Sequence, residues 1–180
     1  MASNDLEAGE MQMQYLAKKM NGKGNIVIML GDLANNSTRN RTKGNEEILA
    51  KYPDIKVLEK QTALFLRDKG MSLMSDWLTA GKDVNAVVAN NDEMAIGAAM
   101  ALRQAGKEPG SVLVVGVDGT ADGLAAVHKG LLSASVYQDA KGQADGALDA
   151  ALKLVNKQPV EQTVWVPFKL ITPETVAEFK

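Results

Sequence analysis

Six short runs rich in β-branched residues alternate with stretches of helical periodicity, and this alternation constrains the fold more than anything else in the sequence. The runs are NIVIML (25–30), IKVLEK (55–60), VNAVVA (84–89), SVLVVGV (111–117), LSASVY (132–137) and TVWVPFKLI (163–171). Between them apolar residues recur at helical spacing: Leu6, Met13, Leu16 and Met20; Met71, Met74, Trp77 and Leu78; Ala95, Ala98, Ala99 and Leu102; Leu124, Ala125 and Val127; Leu148, Ala151, Leu152 and Val155. Residues 38–50 make the weakest helix, with Ile48 and Leu49 as its only large aliphatics. Strand then helix, repeated, predicts a mostly parallel sheet covered on both faces, a three-layer α/β/α sandwich. Right-handed crossovers then bring every strand's C-terminal end to one edge. Pro167 makes the last strand an edge strand or takes it out of the sheet.

The punctuation fits these spans. Gly22 and Gly24 close the first helix, Pro53 follows the second, and Gly81, Gly106 and Gly130 follow others as natural left-handed terminal residues. Thr120 is placed to cap a helix from Ala121, and Thr172-Pro173 reads as the cap and first-turn proline of a last short helix. At 180 residues the chain has room for one full core, so residues 1–180 are expected to form a single α/β domain.

Composition removes several functions. With 20 basic against 22 acidic residues, mixed along the chain, there is no basic face for nucleic acid. No cysteine is present, which excludes disulfides, thiolate metal sites and a thiol nucleophile, and suits an oxidising compartment. No apolar run reaches membrane-spanning length, and no signal segment is seen at the N-terminus. NGKGN lies before a strand, so it is a turn and not a phosphate loop; VGVDGT lacks dinucleotide spacing; no serine sits in a nucleophile elbow. No carboxylate pair is placed for acid–base work, so neither a catalytic residue nor a cofactor nor a metal site is expected.

In open α/β sheets ligands bind beyond the C-terminal strand ends. Five successive ends here offer Arg39 (in GDLANNSTRNR), Phe65 (in QTALFLR), Asn91 (in NNDE), Asp118 (in DGT) and Gln138 (in QD). Arginine only donates, aspartate only accepts, and asparagine and glutamine do both, which suits the hydroxyls of a sugar or polyol. An aromatic ring can cover the C–H face of such a ligand; Phe65 would do so, with Leu64 and Leu66 turned into the protein. Each residue also has a plainer reading. Asn91 is either a helix cap or a ligand contact, with Asn90 and Glu93 at capping-box spacing; Asp118 before Gly119 could form an Asx turn; Arg39 and Gln138 could be surface residues and Phe65 a core residue. Their conjunction at one edge favours a site.

The strand-end blocks GDLANNSTRNRTKG, VVANNDEMAIGAAMALRQAG, VVGVDGTADGL and SASVYQDAKGQ resemble those of bacterial periplasmic solute-binding proteins of the ribose-binding type, above all members that bind myo-inositol and related sugars for ABC importers. The resemblance runs nearly end to end and implies the C-terminal lobe of a type I binding protein, flavodoxin- or Rossmann-like in fold. It implies ligand roles for Arg39, Phe65, Asn91, Asp118 and Gln138, an importer permease as partner of the whole protein, and a periplasmic location. Two departures stand out. Leu64 and Leu66 flank the aromatic where polar residues are usual, and no N-terminal lobe is expected ahead of residue 1. Helix 141–156, which the resemblance packs on that lobe, must dock on its own sheet, stay exposed or find another copy; a homodimer is expected, and weak ligand binding by a lone lobe. The alternative is a self-associating half-protein without ligand.

Overall fold

The β-branched runs become strands because both their faces are covered. Ile26, Val27, Ile28 and Met29 are all buried, as are Ala86, Val87, Val88 and Ala89. The computed structural model describes residues 1–179. Its elements are α1 (Asp5–Lys19), β1 (Gly24–Leu30), α2 (Asn36–Leu49), β2 (Ile55–Thr62), α3 (Arg67–Thr79), β3 (Ala86–Ala89), α4 (Asp92–Gln104), β4 (Leu113–Asp118), α5 (Ala121–His128), β5 (Ala134–Tyr137), α6 (Ala140–Val155) and β6 (Lys169–Ile171), followed by a one-turn 3-10 helix, Val176–Glu178. The sheet order is β2-β1-β3-β4-β5-β6, parallel except for the antiparallel β5–β6 pair. This is the expected α/β/α sandwich, with the flavodoxin-like reversal of order between β1 and β3.

Alternate residues of each strand feed the two faces. Val27, Met29, Val87 and Val114 pack under α3, α4 and α5 with Met74, Trp77, Met94, Leu102 and Val127. Ile26, Ile28, Val88 and Val115 pack under α1 and α2 with Met13, Leu16 and Ile48. Within each helix layer two helices meet backbone to backbone. A Cβ on Gly9 of α1 would overlap the Arg41 carbonyl oxygen of α2, and one on Gly44 the Leu6 carbonyl oxygen. Gly97 of α4 meets the Arg67 carbonyl oxygen of α3 in the same way.

Two local expectations are corrected. The run 163–171 is not one strand: Trp165 pairs alone with Ala2, Pro167 interrupts, and only Lys169–Ile171 joins the sheet, at its edge. Thr172-Pro173 opens a turn rather than a helix. The Thr172 carbonyl accepts from the Thr175 and Val176 N–H groups, and the 3-10 turn starts only at Val176.

Helix α6 buries no residue, and Leu148, Leu152 and Val155 are 61%, 52% and 79% exposed. Of its three expected fates a single chain shows the exposed one. The homodimer through 141–156 is therefore a proposal that mass in solution at low concentration decides: twice the chain mass is expected, and a clean monomer overturns it.

Candidate functional site

The C-terminal strand edge is organised by one side chain, Arg41, which is 4% exposed. It descends from α2, and its Nε donates to Asp5 Oδ1 at 2.8 Å. One terminal nitrogen donates to the Asn90 carbonyl at 2.7 Å, just past β3, and reaches Asp118 Oδ1 at 3.4 Å, at the end of β4. The other reaches Gln138 Oε1 at 3.4 Å, beyond β5. One guanidinium thus bridges three strand ends and the start of α1. Ser37 Oγ donates to the second Asp5 oxygen at 2.8 Å and holds that carboxylate in place.

Arg39 does not take this position. It is exposed, and its guanidinium turns back on its own loop, donating to the Leu33 and Ala34 carbonyls and to Asn36 Oδ1. The helical wheel explains the difference. Thr38, Arg41, Thr42, Asn45 and Ile48 recur at i, i+3, i+4, i+7, i+10 and are all buried; Arg39 falls off that stripe. Counting only large aliphatics in 38–50 hides a buried face that is mostly polar.

Phe65 sits in a tight turn between β2 and α3. Leu64 and Phe65 both have positive φ, 56° and 63°, a conformation disfavoured for side chains of this size. The turn is over-determined. Ala63 N–H donates to the Leu30 carbonyl at 2.8 Å, Thr62 Oγ1 to the Gly31 carbonyl at 2.7 Å, and Leu66 N–H to the Ala63 carbonyl at 2.9 Å. The half-buried Phe65 ring lies so close on Gly31 that any Cβ there would overlap it. The flanking leucines do not turn inward: Leu64 and Leu66 are each 47% exposed, because the left-handed pair swings both away from the sheet while the ring takes the space over Gly31.

Asn91 caps α4 and also braces the aromatic turn. Its Oδ1 accepts from Met94 N–H at 3.0 Å and its Nδ2 donates to the Phe65 carbonyl at 3.2 Å. One amide hydrogen is left for another acceptor. The capping-box reading of Asn90 is replaced: Asn90 is buried, and its Oδ1 accepts from Gly31 N–H at 3.1 Å. Phe65, Gly31, Asn90, Arg41, Asp118 and Gln138 therefore form one chain of contacts across β1, β3, β4 and β5. Asp118 makes no Asx turn; its backbone is at φ 120° and its carboxylate faces Arg41. Burial pushes that carboxyl up to about 6, against the downward pull of Arg41. A hollow of about 730 Å³ between α1 and β6, lined by Tyr15, Lys19, Leu170 and Glu174, takes in none of these residues. Among the described residues no cluster of His, Cys, Asp and Glu could hold a metal, and no helix is long and apolar enough to cross a membrane.

A reversed-order parallel sheet with its polar network at the C-terminal edge defines an α/β binding domain. Residues 1–159 match the periplasmic binding protein domain, and the chain belongs to that family. It is 45% identical, over 99% of its length, to a candidate rhizopine-binding protein of Rhizobium meliloti, of which it covers 59%. To the xylitol-binding protein of Mycolicibacterium smegmatis it is 40% identical over 96% of its length, covering 49% of that protein. The crystal structure of an ABC transporter solute-binding protein from Bacillus halodurans C-125 with bound myo-inositol superposes with a TM-score of 0.93 at 42% identity, over 98% of this chain and 61% of that one. The chain thus spans between about half and three fifths of the length of these relatives. The fold and these relatives are those of solute-binding proteins, which carry out no catalysis.

Proposed function

We propose that this chain is the polyol-recognising lobe, C-terminal in its parent, of a periplasmic solute-binding protein that serves an ABC importer, with a cyclic polyol of the myo-inositol type as ligand. The observation that carries this reading is the bridge from Arg41 to Asp118 and Gln138 beside the Phe65 ring. The bridge presents an accepting carboxylate and an amide that both donates and accepts, held at fixed spacing by a buried cation. Such a set matches hydroxyls on a ring edge, and the aromatic face matches the C–H surface of the same ring. The names of the relatives, which include binders of myo-inositol, xylitol and ribose, support the same chemistry. The ligand roles of Phe65, Asn91, Asp118 and Gln138 belong to this proposal, with Arg41 in the place expected for Arg39.

Asp118 and Gln138 stand at an open wall, part-exposed, so a ligand held there keeps one side in water and affinity is expected to be weak. Calorimetry with myo-inositol, ribose and galactose tests the reading. Heat is expected with myo-inositol, lost in Asp118→Asn and unchanged in Arg39→Ala. Asparagine has the shape of aspartate, so this variant removes charge without adding strain to the φ 120° backbone of position 118. No heat with any of the three would leave the chain a scaffold, and heat indifferent to Asp118→Asn would put the ligand away from this edge.

A further inference from the structure

Asp92 opens α4 one residue after the Asn91 cap, and it is fully buried. Its carboxylate lies in a slot walled by glycines: a Cβ on Gly116 of β4 would overlap Oδ1, and one on Gly123 of α5 would overlap Oδ2. Ser135 Oγ on β5 donates to Oδ1 at 2.6 Å. The Thr120 N–H donates to Oδ2 at 3.0 Å, with its hydroxyl at 3.5 Å. Among the described residues no lysine or arginine pairs with Asp92. The carboxylate therefore ties α4 to β5 and to the turn 118–120. That turn carries Asp118 in its strained conformation, φ 120°, which neighbouring contacts must maintain.

We propose that Asp92 is a positioning residue of the site: it clamps the 118–120 turn and so fixes where Asp118 points its oxygens. Its binding test rests on the polyol reading above; its second test needs no ligand. Burial pushes the Asp92 carboxyl up to about 7, against the pull of the Ser135 and Thr120 donors. Asp118 of β4 faces it directly; Glu93 of α4, Arg67 of α3 and Asp122 of α5 lie in the same helix layer, and Arg41 of α2 with Asp5 of α1 reaches the same strand end. Arg67 is engaged by Glu93 at 2.8 Å and Asp122 at 2.6 Å, and Arg41 is shared between Asp5 and Asp118, so neither cation pairs with Asp92. A proton on Asp92 Oδ1 reverses the bond to Ser135, whose hydroxyl then accepts, and leaves Oδ2 uncharged, so the Thr120 N–H bond weakens and its amide reports the change.

The experiment follows the Thr120 amide by NMR from about pH 5 to about pH 8.5. The wild type is expected to titrate with a midpoint near 7, and Asp92→Asn to lose that step and keep only the one near 6 from Asp118. In Ser135→Ala the midpoint is expected to rise, because a donor favouring the charged form is lost. With myo-inositol at high pH, Asp92→Ala is expected to weaken binding about tenfold, as loss of a hydrogen bond to a charged group does. Asp92→Asn is expected to bind like wild type, since an amide can accept from Thr120 and donate to Ser135. Stability gives a third readout. With its folded value raised, Asp92 holds a proton in the native state that the unfolded chain has released, so its contribution falls as pH rises from about 4 to about 7. Asp92→Asn should then melt above wild type at high pH and level with it at low pH. A Thr120 amide that ignores Asp92, or Asp92→Ala binding like wild type, overturns the proposal. If wild type binds no polyol at any pH, the polyol reading fails, and the amide titration alone decides the positioning role.

Discussion

Arg41→Ala is expected to lower stability by about 3–5 kcal/mol, the cost of removing one partner from a buried charge network. That is a large part of the 5–15 kcal/mol typical of a whole domain. The guanidinium is 4% exposed and supplies the cation for Asp5 and Asp118 at once. Without it the Asn90 carbonyl loses its 2.7 Å donor and Asp118 loses the one nearby charge that favours its ionised form. Arg41→Lys should not rescue, because a single ammonium cannot span the Nε contact to Asp5 and two terminal-nitrogen contacts to different strands. Arg39→Ala, two residues away and exposed, should stay within about 0.5 kcal/mol of wild type. Urea denaturation midpoints of the three variants check this. Equal midpoints for Arg41→Ala and Arg39→Ala would mean that the network carries no stability.

Gly9→Ala should behave opposite to helix propensity. In an exposed helix interior the change from glycine to alanine stabilises by about 1 kcal/mol. Here the new Cβ lands on the Arg41 carbonyl oxygen, and because backbone stands on both sides neither can move alone. The two helices must separate along their length, straining the 2.7 Å bond from Asn45 Nδ2 to the Gly9 carbonyl and lifting Arg41 away from the strand ends. A loss of about 3 kcal/mol is expected, at the upper end for overpacking. Thermal melts of Gly9→Ala decide it, and a rise in midpoint would show that α1 and α2 can part without cost.

The architecture was legible because strand and helix periods differ so sharply: runs such as VNAVVA and stripes such as Ala95, Ala98, Ala99, Leu102 leave little choice of layer. The candidate site is legible as a set of strand ends, since a parallel sheet sends them all to one edge. What failed was orientation within the blocks. Arg39 and Arg41 sit in the same loop-to-helix segment, and only the stripe of Thr38, Thr42, Asn45 and Ile48 shows which one faces inward. Leu64 and Leu66 invited burial by hydropathy alone, whereas the left-handed pair at Leu64 and Phe65 reverses their direction, and no local residue type announces such a turn. The sequence leaves Asn91 between helix cap and ligand contact; its Oδ1 makes the cap and its Nδ2 braces the Phe65 carbonyl, with one amide hydrogen to spare.

Ser3 gives α6 a meaning beyond its exposure. Its hydroxyl accepts from Gln143 Nε2 at 2.8 Å and donates to the Val166 carbonyl at 2.8 Å, while Ala2 pairs with Trp165. The chain therefore leaves the sheet after β5 and returns beside the same short segment, making residues 140–163 a closed detour. Doubling the length of such a loop costs only about 0.6 kcal/mol in closure entropy. The detour has the geometry of a modular port: a change of length between residues 140 and 163 is expected to leave strand register and the Arg41 network as they are.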